Sequence, residues 1–150
     1  KSALEHRYNT VFDSEAQVIP WVIRHSANTI SRYKVGTDGR TAYERWKGKT
    51  FRQEVAEFAE CVWYLKPNSK GRDMLDARWE SGRWLGIRDE SGESIIGTRE
   101  CIIKVRSVRR NRDYDKWNKE ELDSIKGMPW GPFPGMCQEE IKIIIDNSNK

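Results

Sequence analysis

The side chains best suited to chemistry in this sequence are the arginines and lysines of one short stretch. Residues 99–112 contain 6 basic residues and 1 acidic residue, whereas the whole chain of 150 residues carries a net charge of only +4. The basic residues are Arg99, Lys104, Arg106, Arg109, Arg110 and Arg112. A guanidinium group can bind a phosphate through two parallel hydrogen bonds, so this stretch favours contact with a polyanion. Charge alone is equally compatible with a solvated strand face, and this alternative stays open.

Metal-dependent or acid–base chemistry would instead need several carboxylates or histidines that converge. The acidic candidates near the amino terminus are Glu5, Asp13 and Glu15, but metal catalysis needs several oxygen ligands, and Asp13 is better explained as a turn or helix-capping residue. His6 and His25 have no cysteine at zinc-finger spacing. We therefore expect no catalytic residue and no metal site, and we expect His25 to be a histidine of the core.

The tryptophans allow two interpretations. Trp63, Trp79 and Trp84 lie where the sequence indicates strands, and they are expected to pack in the core or at its rim because each can bury a large apolar area. An aromatic cage that binds methylated lysine is the open alternative. Trp130 and Phe133, in a Pro/Gly-rich segment, are expected to anchor that segment on the rest of the protein or on a partner.

Helical spacing of apolar residues in the first third of the chain predicts the elements that precede the basic stretch. Residues 2–8 are expected to form the end of a helix. A second helix, capped by Asp13 or Ser14, is expected to end near Val35, with Gly36 as a left-handed cap. The wide apolar surface of this helix predicts packing against more than one neighbour.

A proline and two tryptophans refine the prediction for this helical part. Pro20 either lies in the first turn of a helix that starts near Ile19 or kinks a longer helix. Trp21, in the same helix, and Trp46, in the short helix that follows, are expected to pack inside the helical part.

The short helix has local signals at both of its ends. The sequence of residues 36–40, Gly-Thr-Asp-Gly-Arg, predicts a turn. Thr41 is expected to cap a helix over 42–46, and Glu44, three residues after Thr41, completes a capping box. Gly48 is expected to end this helix.

The pattern then changes to that of strands. Aromatic and β-branched residues predict strands at 58–65, 83–88, 93–98 and 100–108, separated by a polar loop at 66–76 and a turn at 89–92. Alternation in the last strand places Lys104 and Arg106 on one face. Short strands at this spacing predict an SH3-like or OB-like barrel of about 60 residues. After it, we expect a short helix within 113–127, an extended Pro/Gly-rich arm at 127–135 and a terminal strand at 140–145.

The cysteines and the hydropathy pattern bear on location. Cys61, Cys101 and Cys137 form no C-x-x-C pair and are odd in number, which predicts buried thiols in a reducing compartment. No apolar run approaches the roughly 18 residues of a membrane span, and no signal-peptide pattern is present. We therefore expect an intracellular protein without a membrane partner.

Several segments follow the order of one known arrangement. They are Trp21-Val-Ile-Arg-His-Ser-Ala-Asn28, Gly36-Thr-Asp-Gly-Arg-Thr-Ala-Tyr-Glu44, Gly48-Lys49, Arg83-Trp-Leu-Gly-Ile-Arg88, Ile96-Gly-Thr98 and Val105-Arg-Ser-Val-Arg-Arg110. Over residues 1–112 the chain resembles the integrases of copia-like retrotransposons. One departure is Ala59, in Glu57-Phe-Ala-Glu60, because the family carries glycine at that point.

This resemblance implies an α+β fold class. Residues 1–48 would be the helical C-terminal end of an RNase H-like integrase core, and residues 49–112 would be a small SH3-like DNA-binding β-barrel. Residues 113–150 would be a short helix, a Pro/Gly-rich linker and a tail, which form an extended C-terminal arm. Such a chain would be a fragment of a larger polyprotein, as its first residue, Lys1, also indicates.

The resemblance also implies a function. Integrases of this type use three carboxylates that hold two divalent metals, and in the family these residues lie upstream of this chain. The fragment is therefore expected to be inactive alone and to hold no cofactor, although Mg²⁺ is implied for the full integrase. It is expected to bind the phosphate backbone of DNA non-specifically through its six basic residues. Other integrase subunits are expected partners, and the nucleus or a cytoplasmic particle is the expected location. The alternative is an SH3-like module that reads a protein or a chromatin tail.

Overall fold

The computed structural model describes residues 1–53, 56–66, 78–112 and 116–131, and in this part of the chain the fold is a mixed α+β arrangement. Its helices are α1 (Ser2–Tyr8), α2 (Val18–Tyr33), α3 (Ala42–Lys47) and α4 (Lys119–Asp123). Its strands are β1 (Cys61–Leu65), β2 (Trp79–Ile87), β3 (Ser94–Gly97), β4 (Ile102–Val105) and β5 (Val108–Arg110). None of the helices in these ranges is long and apolar enough to cross a membrane.

The five strands form one antiparallel sheet in the order β4-β3-β2-β1-β5. The single strand expected over 100–108 is divided into β4 and β5 at Arg106 and Ser107. The three chain steps from Val105, the end of β4, to Val108, the start of β5, span at most about 11 Å. The sheet must therefore curl until its outer edges approach each other. A bulge between Trp84 and Gly86 adds to this curvature. No pairing joins β4 to β5 among the described residues, so the strands expected to form a small barrel form a five-stranded sheet that is not closed.

The start of α2 differs from the expectation. The helix begins at Val18 with Gln17 at its N-cap, so the prediction that Asp13 or Ser14 caps it is wrong. Those two residues instead belong to a separate turn, in which the carbonyl of Asp13 accepts a hydrogen bond from the amide of Ala16. Pro20 is the third residue of the helix, where its missing N–H removes no intrahelical bond, as one of the two alternatives predicted.

The end of α2 also differs. The helix ends at Tyr33, and the next residue, Lys34, is extended at φ −75°. Gly36 is not among the residues with positive φ, so its prediction as a left-handed cap is wrong. Its amide donates to the carbonyl of Arg40 at 2.9 Å, which closes the turn predicted over 36–40.

The short helix α3 confirms the prediction made from its capping residues. The hydroxyl of Thr41 accepts from the amide of Glu44 at 3.1 Å, and the carboxylate of Glu44 accepts from the amide of Thr41 at 2.7 Å. Gly48 ends the helix in the left-handed conformation at φ 70°. Trp46, by contrast, is 61 % exposed, so its expected packing inside the helical part is wrong.

One hydrophobic cluster joins the helices to the sheet. Its buried members are Leu4, Tyr8, Phe12, Val18, Trp21, Ala59, Leu85, Ile95, Ile102, Leu122 and Ile125. Two hydrogen bonds reinforce it, from the Tyr8 hydroxyl to the carbonyl of Ala59 at 2.7 Å and from the Trp21 indole to the carbonyl of Gly127 at 3.0 Å. Described residues from each of the segments 1–48, 49–112 and 113–150 therefore share a core, and the division into these segments stays a prediction from the resemblance.

The cysteines and the carboxyl-terminal segment agree with the predictions only in part. Cys61 is buried and accepts a hydrogen bond from the side-chain amide of Asn111 at 3.8 Å. Cys101 is disulfide-bonded, so the prediction of a thiol there is wrong. Helix α4 confirms a short helix within 113–127, and Met128 and Gly131 face each other across a turn. Cys137, Phe133, most of the 66–76 loop, the rest of the 127–135 arm and the predicted strand at 140–145 lie outside the described residues.

The backbone conformation of Ala59 restricts which residues can replace it. It has φ 63°, it is 0 % exposed, and its amide donates to the carbonyl of Trp84 at 2.8 Å. A β-branched side chain is strained in this conformation and finds no space here. We expect Ala59→Val to lower the free energy of unfolding by about 2 kcal/mol. Ala59→Gly relieves the strain but loses a buried methyl, so its change should stay within about 1 kcal/mol. Urea unfolding of both variants tests this, and equal losses would contradict it.

Candidate functional site

The six basic residues singled out in the sequence do not form one continuous surface. They lie in the β3–β4 turn (Arg99), on β4 (Lys104), between β4 and β5 (Arg106), on β5 (Arg109 and Arg110) and directly after it (Arg112). The side chains on either side of the break between β4 and β5 have different neighbours. Lys104 lines a pocket with Arg24, whereas Arg109 lies over Trp79 and Arg110 pairs with Glu60. Sequence proximity alone could not show this division, since a continuous strand would have kept the charges together.

Arg110 has a structural partner. Its guanidinium donates to both carboxylate oxygens of Glu60, at 2.8 and 2.7 Å, and Glu60 is 0 % exposed. Burial alone raises the pKa of Glu60, but the hydrogen bonds from Arg110 and from the amide of Glu57, with the charges of Arg110 and Lys116, lower it overall. Arg110 therefore neutralises a buried carboxylate, and it is a poor choice for a residue that binds phosphate.

Arg109 belongs to an exposed basic and aromatic surface on the neighbouring strands. Its guanidinium carbon lies 4.4 Å from the ring centroid of Trp79. On β1, Trp63 is directly opposite Arg109 of β5 and Ser81 of β2, so these side chains share one face of the sheet. Trp63 is 42 % exposed, which differs from its expected packing in the core or rim, whereas Trp84 is buried as expected.

Three further cations of the predicted set are open to solvent. The side chain of Arg106 is 89 % exposed, and its Nε lies 3.6 Å from a carboxylate oxygen of Glu93. Arg112 and Arg99 are also exposed. At such exposure an ion pair contributes little to stability, so these side chains can exchange their present contacts for a polyanion.

Two adjoining grooves lie beside β1 and β2, and the exposed Trp63 lines the larger one. The larger, of about 690 Å³, is lined by Tyr8, Cys61, Trp63, Ser81, Asn111, Trp117, Asn118, Lys119, Glu120 and Glu121. The smaller, of about 340 Å³, includes Arg99 at its rim and shares Ser81 and Glu121 with the larger one. We call the larger cavity the Trp63 groove. It lies between the outer face of β1 and β2 and the segment that contains α4.

Lys104 lines neither of these two grooves. It lines a pocket of about 230 Å³ together with Arg24, Arg88 and Glu90. Burial and the positive charge of Arg88 lower the pKa of Lys104, although Glu93 and Glu90 oppose this. Sequence reasoning missed Arg24 and Arg88 as neighbours of Lys104. Helical spacing could have indicated Arg24, because it follows the buried Trp21 by three residues and so lies on the same side of α2.

Glu5 and His25, which were considered for metal or acid–base chemistry, have contacts within the fold. The carboxylate of Glu5 accepts from the amide of Phe12 at 3.0 Å, which lowers its pKa. The ring of His25 lies 4.9 Å from that of Phe58 and 5.7 Å from that of Trp84. Burial and the charge of Arg32 lower the pKa of His25, as packing beside the core predicts. Among the described residues, no group of three or more histidine, cysteine, aspartate or glutamate side chains could hold a metal ion.

Comparison of this chain with protein-family models, with curated proteins and with solved structures finds no match. The resemblance to copia-like integrases therefore rests on the sequence motifs within residues 1–112.

Proposed function

We propose that this chain is part of the integrase region of a copia-like retrotransposon and that it holds DNA through its phosphate backbone. The observation that carries the proposal is the exposed surface around β5. There the guanidinium of Arg109 lies over Trp79, and Arg106 and Arg112, three residues before and after Arg109 along the chain, are exposed to solvent. Guanidinium groups on an exposed strand can bind phosphates without regard to base sequence.

Two features of the fold support the resemblance. A curled five-stranded antiparallel sheet with β1 between β2 and β5 supports an SH3-like assignment for residues 49–112. Ala59 has φ 63°, and it stands where the family carries glycine, the residue that this conformation favours. In this proposal the helices before the sheet are the end of an RNase H-like core, and other integrase subunits are partners in the nucleus or in a cytoplasmic particle.

The proposed role of the chain is to hold DNA, without catalysis of strand transfer. Glu5, the candidate carboxylate on α1, already accepts the amide of Phe12 and pairs with Lys1 at 3.5 Å. Among the described residues, no group of carboxylates provides the several convergent oxygen ligands that the metal pair of a strand transferase needs. In the full integrase, Mg²⁺ would be held by carboxylates that precede this chain.

We expect charge reversal on this surface to abolish most of the affinity for duplex DNA. The variant is Arg106→Glu with Arg109→Glu and Arg112→Glu, and it leaves Arg110 in place because that residue neutralises Glu60. Affinity at low salt should fall by about 100-fold, and the salt slope should fall by about 0.9 for each phosphate that the variant no longer binds. Fluorescence anisotropy with a short labelled duplex, titrated at several salt concentrations, measures both quantities.

A control with the same change of net charge tests whether the effect is local. Lys34→Glu with Lys49→Glu and Arg52→Glu reverses three exposed cations around α3. This control should lose no more than a few fold in affinity, because long-range repulsion is screened by salt. Equal losses in the two variants, or binding by the unmodified chain that ignores salt, would contradict the proposal.

A second candidate function, a module that reads a protein or chromatin tail, is favoured by one observation. Trp63 and Trp79 share a face of the sheet, and an aromatic cage needs aromatic rings on an open surface. However, Arg109 already covers the ring of Trp79 at 4.4 Å, in the position that a methylated lysine would need. Titration with a trimethyllysine peptide separates the two functions, because only the reader should bind it.

A further inference from the structure

We propose that the Trp63 groove binds an unpaired nucleobase, with the indole of Trp63 as the stacking surface. The inference rests on the proposed function only in that the ligand is a nucleic acid. It goes beyond that function because phosphate contact serves duplex and single strand alike, whereas stacking on a side chain requires a base that is free of its own partner.

Trp63 is exposed although the residues beside it in the strand are buried. It lies in the middle of β1 between Val62, which is 0 % exposed, and Tyr64, which is 5 % exposed. Its two cross-strand neighbours do not cover it, because Ser81 is small and the guanidinium of Arg109 lies over Trp79 instead. An indole that the fold leaves open beside cations is suited to a flat aromatic ligand.

The lining of the groove supplies polar groups for the edge of a base. Ser81 and Asn111 offer donors and acceptors, and the exposed carboxylate of Glu120 can accept from an exocyclic amino group. The other carboxylate, that of Glu121, is held by Arg83 at 2.6 Å. A volume of about 690 Å³ is enough for one nucleotide.

The charges around the groove can hold the phosphates on either side of that base. Lys119 lines the groove, and its ammonium donates to the hydroxyl of Thr10 at 2.9 Å. Arg109 and Arg112 lie on either side of Asn111 along the chain, at the strand end that leads to the groove. A strand could therefore place its phosphates on these cations while one base enters against Trp63.

The test compares a labelled single strand of about 12 nucleotides with the duplex formed from it, by fluorescence anisotropy with the full chain. Trp63→Ala should weaken binding of the single strand by about 10-fold, since the variant loses the aromatic surface on which an unpaired base stacks, and should leave duplex affinity within about twofold. Trp63→Phe should keep most of the single-strand affinity. Trp46→Ala, at a 61 % exposed indole on α3, is the matched control and should change neither affinity.

The outcomes separate this inference from the proposed function. Loss of single-strand and duplex affinity in equal measure, or no loss of either, would overturn the stacking role while leaving DNA binding intact. Single-strand binding that depends on Trp63, without duplex binding, would support the stacking role and overturn the proposed duplex function. Binding of a trimethyllysine peptide and of no nucleic acid would overturn both. Circular dichroism of each variant confirms that the chain is folded in every comparison.

Discussion

Replacing Arg110 with alanine is expected to lower the free energy of unfolding by about 3 kcal/mol, because a buried carboxylate would lose its cation. Arg110 donates twice to Glu60, at 2.8 and 2.7 Å, and Glu60 is 0 % exposed. Without Arg110, the only hydrogen bond to the Glu60 side chain among those described comes from the amide of Glu57, at 2.9 Å. Urea unfolding followed by circular dichroism measures the loss.

Arg112→Ala is the matched control, because Arg112 is an exposed arginine two residues farther along the chain. Its effect should stay within about 0.5 kcal/mol. Equal stabilities of the two variants would show that the Arg110–Glu60 pair contributes nothing. The double variant Glu60→Leu with Arg110→Leu should lose less than Arg110→Ala alone, since an apolar pair leaves no unpaired charge behind.

The pH dependence of stability gives a second readout of the same pair. The pKa of Glu60 is lower in the folded chain than its ordinary value of 4.5. Its contribution to stability is therefore present above pH 4.5 and is lost as the pH falls through the folded pKa. Stability of the unmodified chain should fall as the pH is lowered from about 5 to 3, and Glu60→Gln should fall less steeply over that range.

The parts of the fold that the sequence predicted correctly have their causes nearby in the chain. The helix α3 is specified by Thr41, Glu44 and Gly48, whose hydrogen bonds and backbone angles involve residues at most four positions apart. The start of α2 at Val18 was missed because it depends on tertiary packing and not on local capping residues. Asp13 and Ser14 have suitable side chains, but Phe12 before them is 3 % exposed in the shared core. The chain turns there before the helix can begin.

The strand pairing of the curled sheet was also missed because its cause is tertiary. Alternation over 100–108 is compatible with one long strand, and it does not reveal that the pairing changes at Arg106 and Ser107. The two halves pair with β3 and with β1, which lie in different parts of the sheet. Only these long-range partners show why the predicted barrel is instead an open sheet among the described residues.

The sequence indicated which residue types make up the candidate site, but it did not indicate which residues contact each other there. The excess of arginine between 99 and 112 drew attention to Arg106, Arg109 and Arg112, which are exposed in the structure. It could not identify the partner of Arg110, because Glu60 lies 50 residues earlier. Likewise, nothing in the spacing of tryptophans indicated that Trp63 would stay exposed while Trp84 is 2 % exposed. Burial depends on what covers each strand face, which is decided by the packing of α4 and of α2.

Arg83 is the residue whose replacement should release α4 from the sheet. It is 1 % exposed, and its guanidinium donates to the carbonyls of Lys116 and Asn118, at 3.0 and 3.3 Å, and to the carboxylate of Glu121 at 2.6 Å. Arg83→Met keeps an apolar chain of similar length but removes all three hydrogen bonds. We expect the free energy of unfolding to fall by about 3 kcal/mol, because two carbonyls and a carboxylate lose their donor.

Native-state hydrogen exchange shows where this loss occurs. The amide of Leu122 donates to Asn118, and the amide of Lys126 donates to Thr98, so both should exchange much faster in Arg83→Met. Glu121→Gln is the control that keeps an acceptor for Arg83, and its loss should be about 1 kcal/mol. If α4 exchanges no faster in Arg83→Met than in Glu121→Gln, packing of Leu122 and Ile125 alone holds the helix. The Trp63 groove, one side of which is formed by this segment, would then keep its shape without Arg83.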